Sequence, residues 1–185
     1  MRKLFVALFA ILFFVGSSAS LIAVAQDDAT PEAEGEAAEG SNPVDPAIGD
    51  TVTYYGQNGD PVGMITVTGI TRNWEDYGEY EEPDPGIEYI SFTIEVESVT
   101  ARGAIDIDPY DFRLQSPSGF IYGNAYAQGA EGVEPEILTE SVSLAGGENL
   151  EAQVIFEVFE GEELAHLFWS PESETFLTVA QLEGE

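Results

Sequence analysis

At 185 residues, with 44% hydrophobic and 11% aromatic side chains, the chain is long enough for one domain and apolar enough to bury a core. It carries 35 Asp and Glu against 5 Lys and Arg, a formal net charge of -30, which repels nucleic acid and anionic membrane surfaces because those are held through basic patches. The absence of cysteine excludes disulfides, thiol catalysis, thiolate metal sites and a lipid-modified N-terminal cysteine.

The first element is an address. Arg2 and Lys3 make a short basic region, residues 4–15 are an unbroken apolar run, and Ala23-Val24-Ala25 before Gln26 offers an A-x-A cleavage site. Basic, apolar and small-residue regions in that order are the layout of a secretory signal peptide over residues 1–25, and the protein is expected to be secreted or held at the cell surface. The rival is an uncleaved anchor, the one membrane contact the sequence offers, although the apolar run is shorter than the ~20 residues that span a bilayer. Residues 26–46, rich in Ala, Glu, Gly and Pro, hold a single large apolar residue, Val44, and read as a disordered, self-repelling acidic spacer.

From residue 47 the pattern changes to strands and turns that run to residue 185. Residues 51–55 are β-branched and aromatic, and Asn58-Gly59 after them predicts a hairpin of type I′, whose central residues both need positive φ. Its partner run is 62–74. In 89–97, Ile90, Phe92, Ile94 and Val96 alternate with Ser91, Thr93, Glu95 and Glu97, a period of two with one apolar and one wet face. The alternation returns at Phe112 and Leu114, in 120–122 after the turn Pro117-Ser118-Gly119, at Leu138, Val142 and Leu144, and at Leu150, Ala152, Val154, Phe156 and Val158 after Gly146-Gly147. Residues 167–169 and 176–182 complete the set. Short strands separated by Gly and Pro turns, with no amphipathic helix and no fixed repeat, predict an all-β antiparallel sandwich of immunoglobulin-like architecture without a Cys-Trp-Cys framework.

Four segments carry a family resemblance: Ile48-Gly49-Asp50-Thr51-Val52, the long strand 89–98, Asp111-Phe112-Arg113-Leu114 with its Ser116-Pro117-Ser118-Gly119 turn, and Gly146-Gly147-Glu148 leading into 152–156. In their order they resemble a family of immunoglobulin-like domains of unknown function from secreted bacterial and archaeal proteins and lipoproteins, similar in fold to a small secreted mycobacterial antigen. The resemblance covers about residues 47–182 and implies the fold. It transfers no catalytic or ligand residues. The chain departs from the family pattern at Ser98-Val99-Thr100, where an Asn-rich turn is usual, and in the longer acidic insertion 73–86.

Catalytic chemistry finds little footing. His166, the only histidine, lies in a strand-like run with no Gly-x-Ser-x-Gly elbow in the chain, and reads as a half-buried structural imidazole. One histidine and no cysteine leave zinc without ligands, and Gly146-Gly147 lacks the glycine spacing and lysine of a phosphate loop. Among so many acids, chance carboxylate pairs carry no signal for a glycosidase. Calcium is the cofactor to weigh: Asp106, Asp108 and Asp111 put three carboxylates in six residues, and Glu75, Asp76, Glu79, Glu81, Glu82 and Asp84 form a second cluster. The first lacks the EF-hand glycine and glutamate, and the reading favoured over calcium puts Asp106 and Asp108 on the wet face of a strand or edge turn.

One loop is a candidate for recognition. Residues 73–86 set Trp74, Tyr77 and Tyr80 among acids, and Tyr122 and Tyr126 extend that surface. Rings beside carboxylates suit sugars, cationic peptides or ammonium groups; equally, they cap the open end of a core. The sequence therefore predicts a monomeric, non-enzymatic binding module for a protein, peptide or glycan ligand. The alternatives are a calcium-stabilised structural domain and a secreted hydrolase with an unrecognised carboxylate pair.

Overall fold

The structure, a computed structural model, describes residues 41–79, 81–171 and 175–182. The expected signal peptide and most of the expected spacer lie outside them. The strands of the described residues are β1 (Thr51–Tyr55), β2 (Pro61–Arg72), β3 (Ile87–Ser98), β4 (Ala104–Ile107), β5 (Phe112–Gln115), β6 (Ile121–Gly123), β7 (Val142–Ala145), β8 (Asn149–Phe159), β9 (His166–Trp169) and β10 (Leu177–Gln181), with one 3-10 turn at Pro109–Asp111. They form two four-stranded sheets, β1-β2-β3-β8 and β10-β9-β5-β6, and a two-stranded ribbon, β4-β7. Every pairing between these strands is antiparallel. The all-β antiparallel sandwich expected from the alternation is the observed fold.

The period of two sends one side chain set of each sheet inward. Ile90, Phe92, Ile94 and Val96 of β3 meet Ala152, Val154, Phe156 and Val158 of β8, and these pack with Phe112, Leu114, Tyr122, Leu167 and Trp169 of the second sheet. Trp169 sits at the centre, stacked on Phe112 at 6.3 Å and met edge-on by Tyr54 at 6.0 Å. Ile105, Ile107 and Leu144 of the ribbon join the same core. Each such side chain, fully buried, contributes about 1.5–3 kcal/mol relative to exposure.

The β1–β2 hairpin forms, but by a different turn from the one its Asn-Gly pair predicts. Gly59 has φ of 79°, whereas Asn58 is not among the described residues with positive φ. The Gly59 amide donates to the Gly56 carbonyl at 2.8 Å and the Gly56 amide to Asp60 at 2.9 Å. A register shift at Tyr54/Tyr55 absorbs the longer turn, so only the glycine needs the left-handed region.

Both outer edges of the first sheet are covered. On β1 the Asn42 side chain mimics a strand: its Nδ2 donates to the Thr53 carbonyl at 2.8 Å and its Oδ1 accepts from the Thr53 amide at 2.7 Å. Pro46 accepts from the Gln181 amide at 2.6 Å. Asn42 and Pro46, read from composition as the end of the spacer, thus already belong to the sandwich. Along β8, Ala125 donates to Ile155, and Gln153 exchanges backbone bonds with Glu136 and Leu138. Such cover removes the open edge on which strands of other chains pair.

Candidate functional site

The outward face of β3 and β8 is wet over only half its length. Residues 88–92 of β3 and 152–156 of β8 are buried on both parities, because the segments 73–79 and 124–139 fold over that half of the sheet. Trp74, Tyr89, Ala127 and Ile155 form a second, smaller core there, with Tyr77, Ala125, Val133 and Ile137 packed against it. Trp74, Tyr77 and Tyr89 meet edge to face at 5.7–6.2 Å between ring centres. Beneath them the Ser91 hydroxyl donates to Gln153 Oε1 at 2.5 Å, and Gln153 Nε2 donates to the Pro135 carbonyl at 2.8 Å.

This arrangement corrects the aromatic binding surface expected at the 73–86 loop. Trp74 is 3% exposed and Tyr122 8% exposed, and Tyr122 belongs to the main core. Tyr77 is half-buried against the Trp74 cluster. Tyr126 alone stands out, at 60% exposure, and Tyr80 lies outside the described residues. Aromatic rings on a long loop found more free energy in covering an apolar stretch of sheet than in facing water.

The three aspartates weighed as calcium ligands fall in different settings. Asp106 is exposed on β4 between buried Ile105 and Ile107. Asp108 instead caps the 3-10 turn, its Oδ1 accepting from the Tyr110 amide at 2.8 Å. Asp111 is the last residue of that turn, where burial and then the Asp108 charge push its carboxyl up to about 6, against the pull of Arg113. Among the described residues no three carboxylates converge as a metal site, at these residues or in the 73–86 loop. Asp106 stays on the exposed face of β4, whereas Asp108 is taken up as the cap of the turn.

His166 is half-buried on β9, stacked on Phe168 at 5.6 Å, with Nδ1 3.2 Å from Gln115 Oε1. Its polar partner is the Gln115 side-chain amide.

A buried carboxylate that composition does not single out is Glu88. It is 3% exposed and accepts from Arg72 Nη2 at 2.5 Å, the Gly161 amide at 2.9 Å and the Asn73 amide at 3.2 Å. Burial alone would raise its pKa, but the Arg72 guanidinium and the two amides outweigh that and hold it below the usual carboxylate range. The cluster ties the end of β2 to the start of β3 and to the turn between β8 and β9, where Arg72 also donates to the Glu162 carbonyl at 2.8 Å. Its role is to fasten the end of the sandwich.

Two outer faces remain open, and they differ in chemistry. On the first sheet the register aligns Thr51, Thr66, Glu95 and Glu151 in one row and Thr53, Met64, Glu97 and Asn149 in the next. A groove of about 510 Å³ lies over these rows, lined by Glu95, Glu97 and Glu151 among others. On the second sheet the rows are Thr178, Phe168, Arg113 and Gly123, then Gln181, His166, Gln115 and Ile121. The eight residues of these two rows include no Asp or Glu. They hold Arg113 and His166 in a chain with 35 acids, and Phe176, 65% exposed, meets Phe168 edge-on at 6.1 Å. Sequence reasoning missed this face. The signal was available in the outward parity of 113–115, 121–123 and 166–168, all free of carboxylates.

The described residues thus form a two-sheet antiparallel all-β domain. No protein-family model and no curated protein matches the chain. Among solved structures, it is similar to the secreted protein MPT63 of Mycobacterium tuberculosis, at 16% identity and a TM-score of 0.56, over 75% of this chain and 97% of that one. It is also similar to the yjhA protein of Bacillus subtilis, at 14% identity and a TM-score of 0.50, over 68% of this chain and 81% of that one. A putative lipoprotein of Bacillus subtilis, ycdA, matches over 62% of this chain at 14% identity and a TM-score of 0.46, and the chain spans about a third of that protein's length, 33%. At such identities the likeness shows the fold alone.

Proposed function

We propose that the protein is an exported, non-catalytic binding module that engages an uncharged, extended ligand through the outer face of the β10-β9-β5-β6 sheet. The observation that carries this reading is the absence of carboxylates from the outward rows of that face, in a chain with 35 of them. At the chain's overall share of acids, 35 in 185 residues, eight positions would hold about one or two, and water exposure alone gives no reason to exclude them. Half-buried Phe168 and exposed Phe176 and Ile121 sit instead among amides, a hydroxyl and an arginine. This is the pattern of a recognition surface, apolar contact framed by polar groups that fix orientation.

Export is supported by the tripartite N-terminal signal and by the likeness in fold to a secreted mycobacterial protein. The size of the face argues for an extended ligand rather than a second copy. Four strands ~4.8 Å apart and a few residues long at ~3.3 Å each offer roughly 250 Å², well under the ~800 Å² per partner of a stable protein interface.

Co-sedimentation of the purified protein with insoluble bacterial envelope material tests the reading. The blocking variant is Gly123→Trp: a Cβ at Gly123 meets nothing within 4 Å, so a bulky ring there covers the Arg113 row without strain. Wild type is expected in the pellet and the variant in the supernatant. Equal sedimentation of the two, or none by either, overturns the proposal.

A further inference from the structure

We infer that a groove between the β1–β2 turn and the segment after β3 takes a small zwitterion of the amino-acid class, with Arg102 on its carboxylate and Asp60 on its ammonium group. The groove has a volume of about 600 Å³, and both residues line it. Arg102 differs from the other described arginines. Arg72 pairs with Glu88, and Arg113 donates to the carbonyls of Tyr110 and Phe112. The Arg102 side chain makes no hydrogen bond or ion pair among the described residues, in a chain with 35 acids. Asp60 lines the same groove and does not pair with it. Two opposite charges in one groove, neither satisfied by the protein, match a ligand that carries both. A guanidinium takes a carboxylate through two parallel N–H bonds, and a carboxylate accepts from an ammonium. Pro61, Val62 and Val99 add apolar contact for the ligand's side chain.

The walls of the groove are fixed before any ligand arrives. The Gly56 amide donates to the Asp60 carbonyl at 2.9 Å, and the Val99 amide to the Val62 carbonyl at 3.0 Å, which ties one wall to the other. The Thr100 hydroxyl donates to the Arg102 carbonyl at 2.8 Å. Behind that segment the β7–β8 turn packs so closely that a Cβ at Gly146 would stand 2.2 Å from the Thr100 carbonyl oxygen. A preformed site spends little binding energy on ordering its loops. Net charge favours the same ligand class. The charge of -30 opposes a free anion, and a free cation meets carboxylates over the whole surface. A zwitterion, with no net charge, meets neither effect and gains only where both of its ends are matched.

Isothermal titration calorimetry of the purified protein tests the inference, with L-leucine, L-leucyl-L-leucine, N-acetyl-leucine and leucine amide as titrants at matched ionic strength. Saturable binding of the free amino acid or of the dipeptide is expected, and the tighter of the two identifies the source of the zwitterion. N-acetyl-leucine, without the ammonium, and leucine amide, without the carboxylate, should each bind roughly tenfold more weakly or worse, as the loss of one charge-assisted bond requires. Arg102→Gln and Asp60→Asn should weaken the zwitterion by a similar factor. Both side chains are exposed, so an unchanged Tm is expected to show that these variants fold. Gly123→Trp, on the β10-β9-β5-β6 face, should bind as wild type does. Binding of neither zwitterion, binding untouched by both groove variants, or binding abolished by Gly123→Trp overturns the inference.

Discussion

Replacing Glu88 with glutamine keeps the shape of the side chain and removes its charge. The carboxylate faces donors only: the Arg72 guanidinium and the amides of Gly161 and Asn73. In Glu88→Gln one carboxylate oxygen becomes an NH2 group and meets one of those donors head-on. The guanidinium, 29% exposed, keeps part of its hydration, which limits the loss. A charge-assisted bond lost at a buried site, together with a donor left unpaired, costs about 3 kcal/mol, or roughly 10 °C in Tm for a domain of this size. Urea unfolding followed by tryptophan fluorescence measures it. The cost should depend on pH in a definite sense. Because the folded carboxyl titrates below its ordinary value, its stabilisation is present above the ordinary carboxylate range and lost as pH falls through the lowered folded value. The gap between wild type and variant should therefore be full at pH 7 and close on strong acidification. A double variant, Arg72→Leu with Glu88→Leu, should be less unstable than Glu88→Leu alone, since no buried charge is left without its partner. A Glu88→Gln penalty under about 1 kcal/mol at pH 7, or one that does not change with acid, refutes the account of this cluster.

Asp111 should behave in the opposite sense. Its folded pKa is raised to about 6 by burial and by Asp108, so ionisation costs stability as the pH rises through that value. A two-unit shift corresponds to about 2.7 kcal/mol, and solvent at a half-exposed carboxylate reduces this to about 1 kcal/mol. Asp111→Asn is expected to raise the stability at pH 7 by that amount and to leave it unchanged below about pH 4, as followed by thermal melts across pH. Trp74→Ala should cost about 3–4 kcal/mol in chemical unfolding, because the ring is buried in the outer cluster. An exposed recognition ring would cost under about 0.5 kcal/mol.

The sandwich was legible because its code is local. Ile90 to Val96 on one parity and Leu150 to Val158 on one parity specify two strands buried on one face, and those two pair with each other in full register. The outer layer was not legible. Ser91 and Gln153 occupy wet-face parity and look solvated, but they are buried by the irregular segments 73–79 and 124–139, whose path no periodicity reveals. Trp74 carried the signal of a large ring in an acidic loop, which is equally the signal of an exposed anchor. Only the coincidence of Trp74, Tyr89 and Ile155 across three segments decides between the two readings. Asp106, Asp108 and Asp111 show a similar limit. Proximity in sequence does not make a metal site when one carboxylate lies out on a strand and the next is taken as the cap of a turn.

The distribution of charge ties the two open faces together. Glu95 lies directly opposite Glu151 in the β3–β8 register, with Glu97 two residues on, and like charges so placed cost each other about 0.2–1 kcal/mol. Arg72–Glu88 is the one ion pair among the described residues, so this face has no internal counterion. A net charge of -30 sets a long-range repulsion between copies of the chain. The two outer faces of the sandwich thus differ in charge: carboxylates line one, and the outward rows of the other hold none.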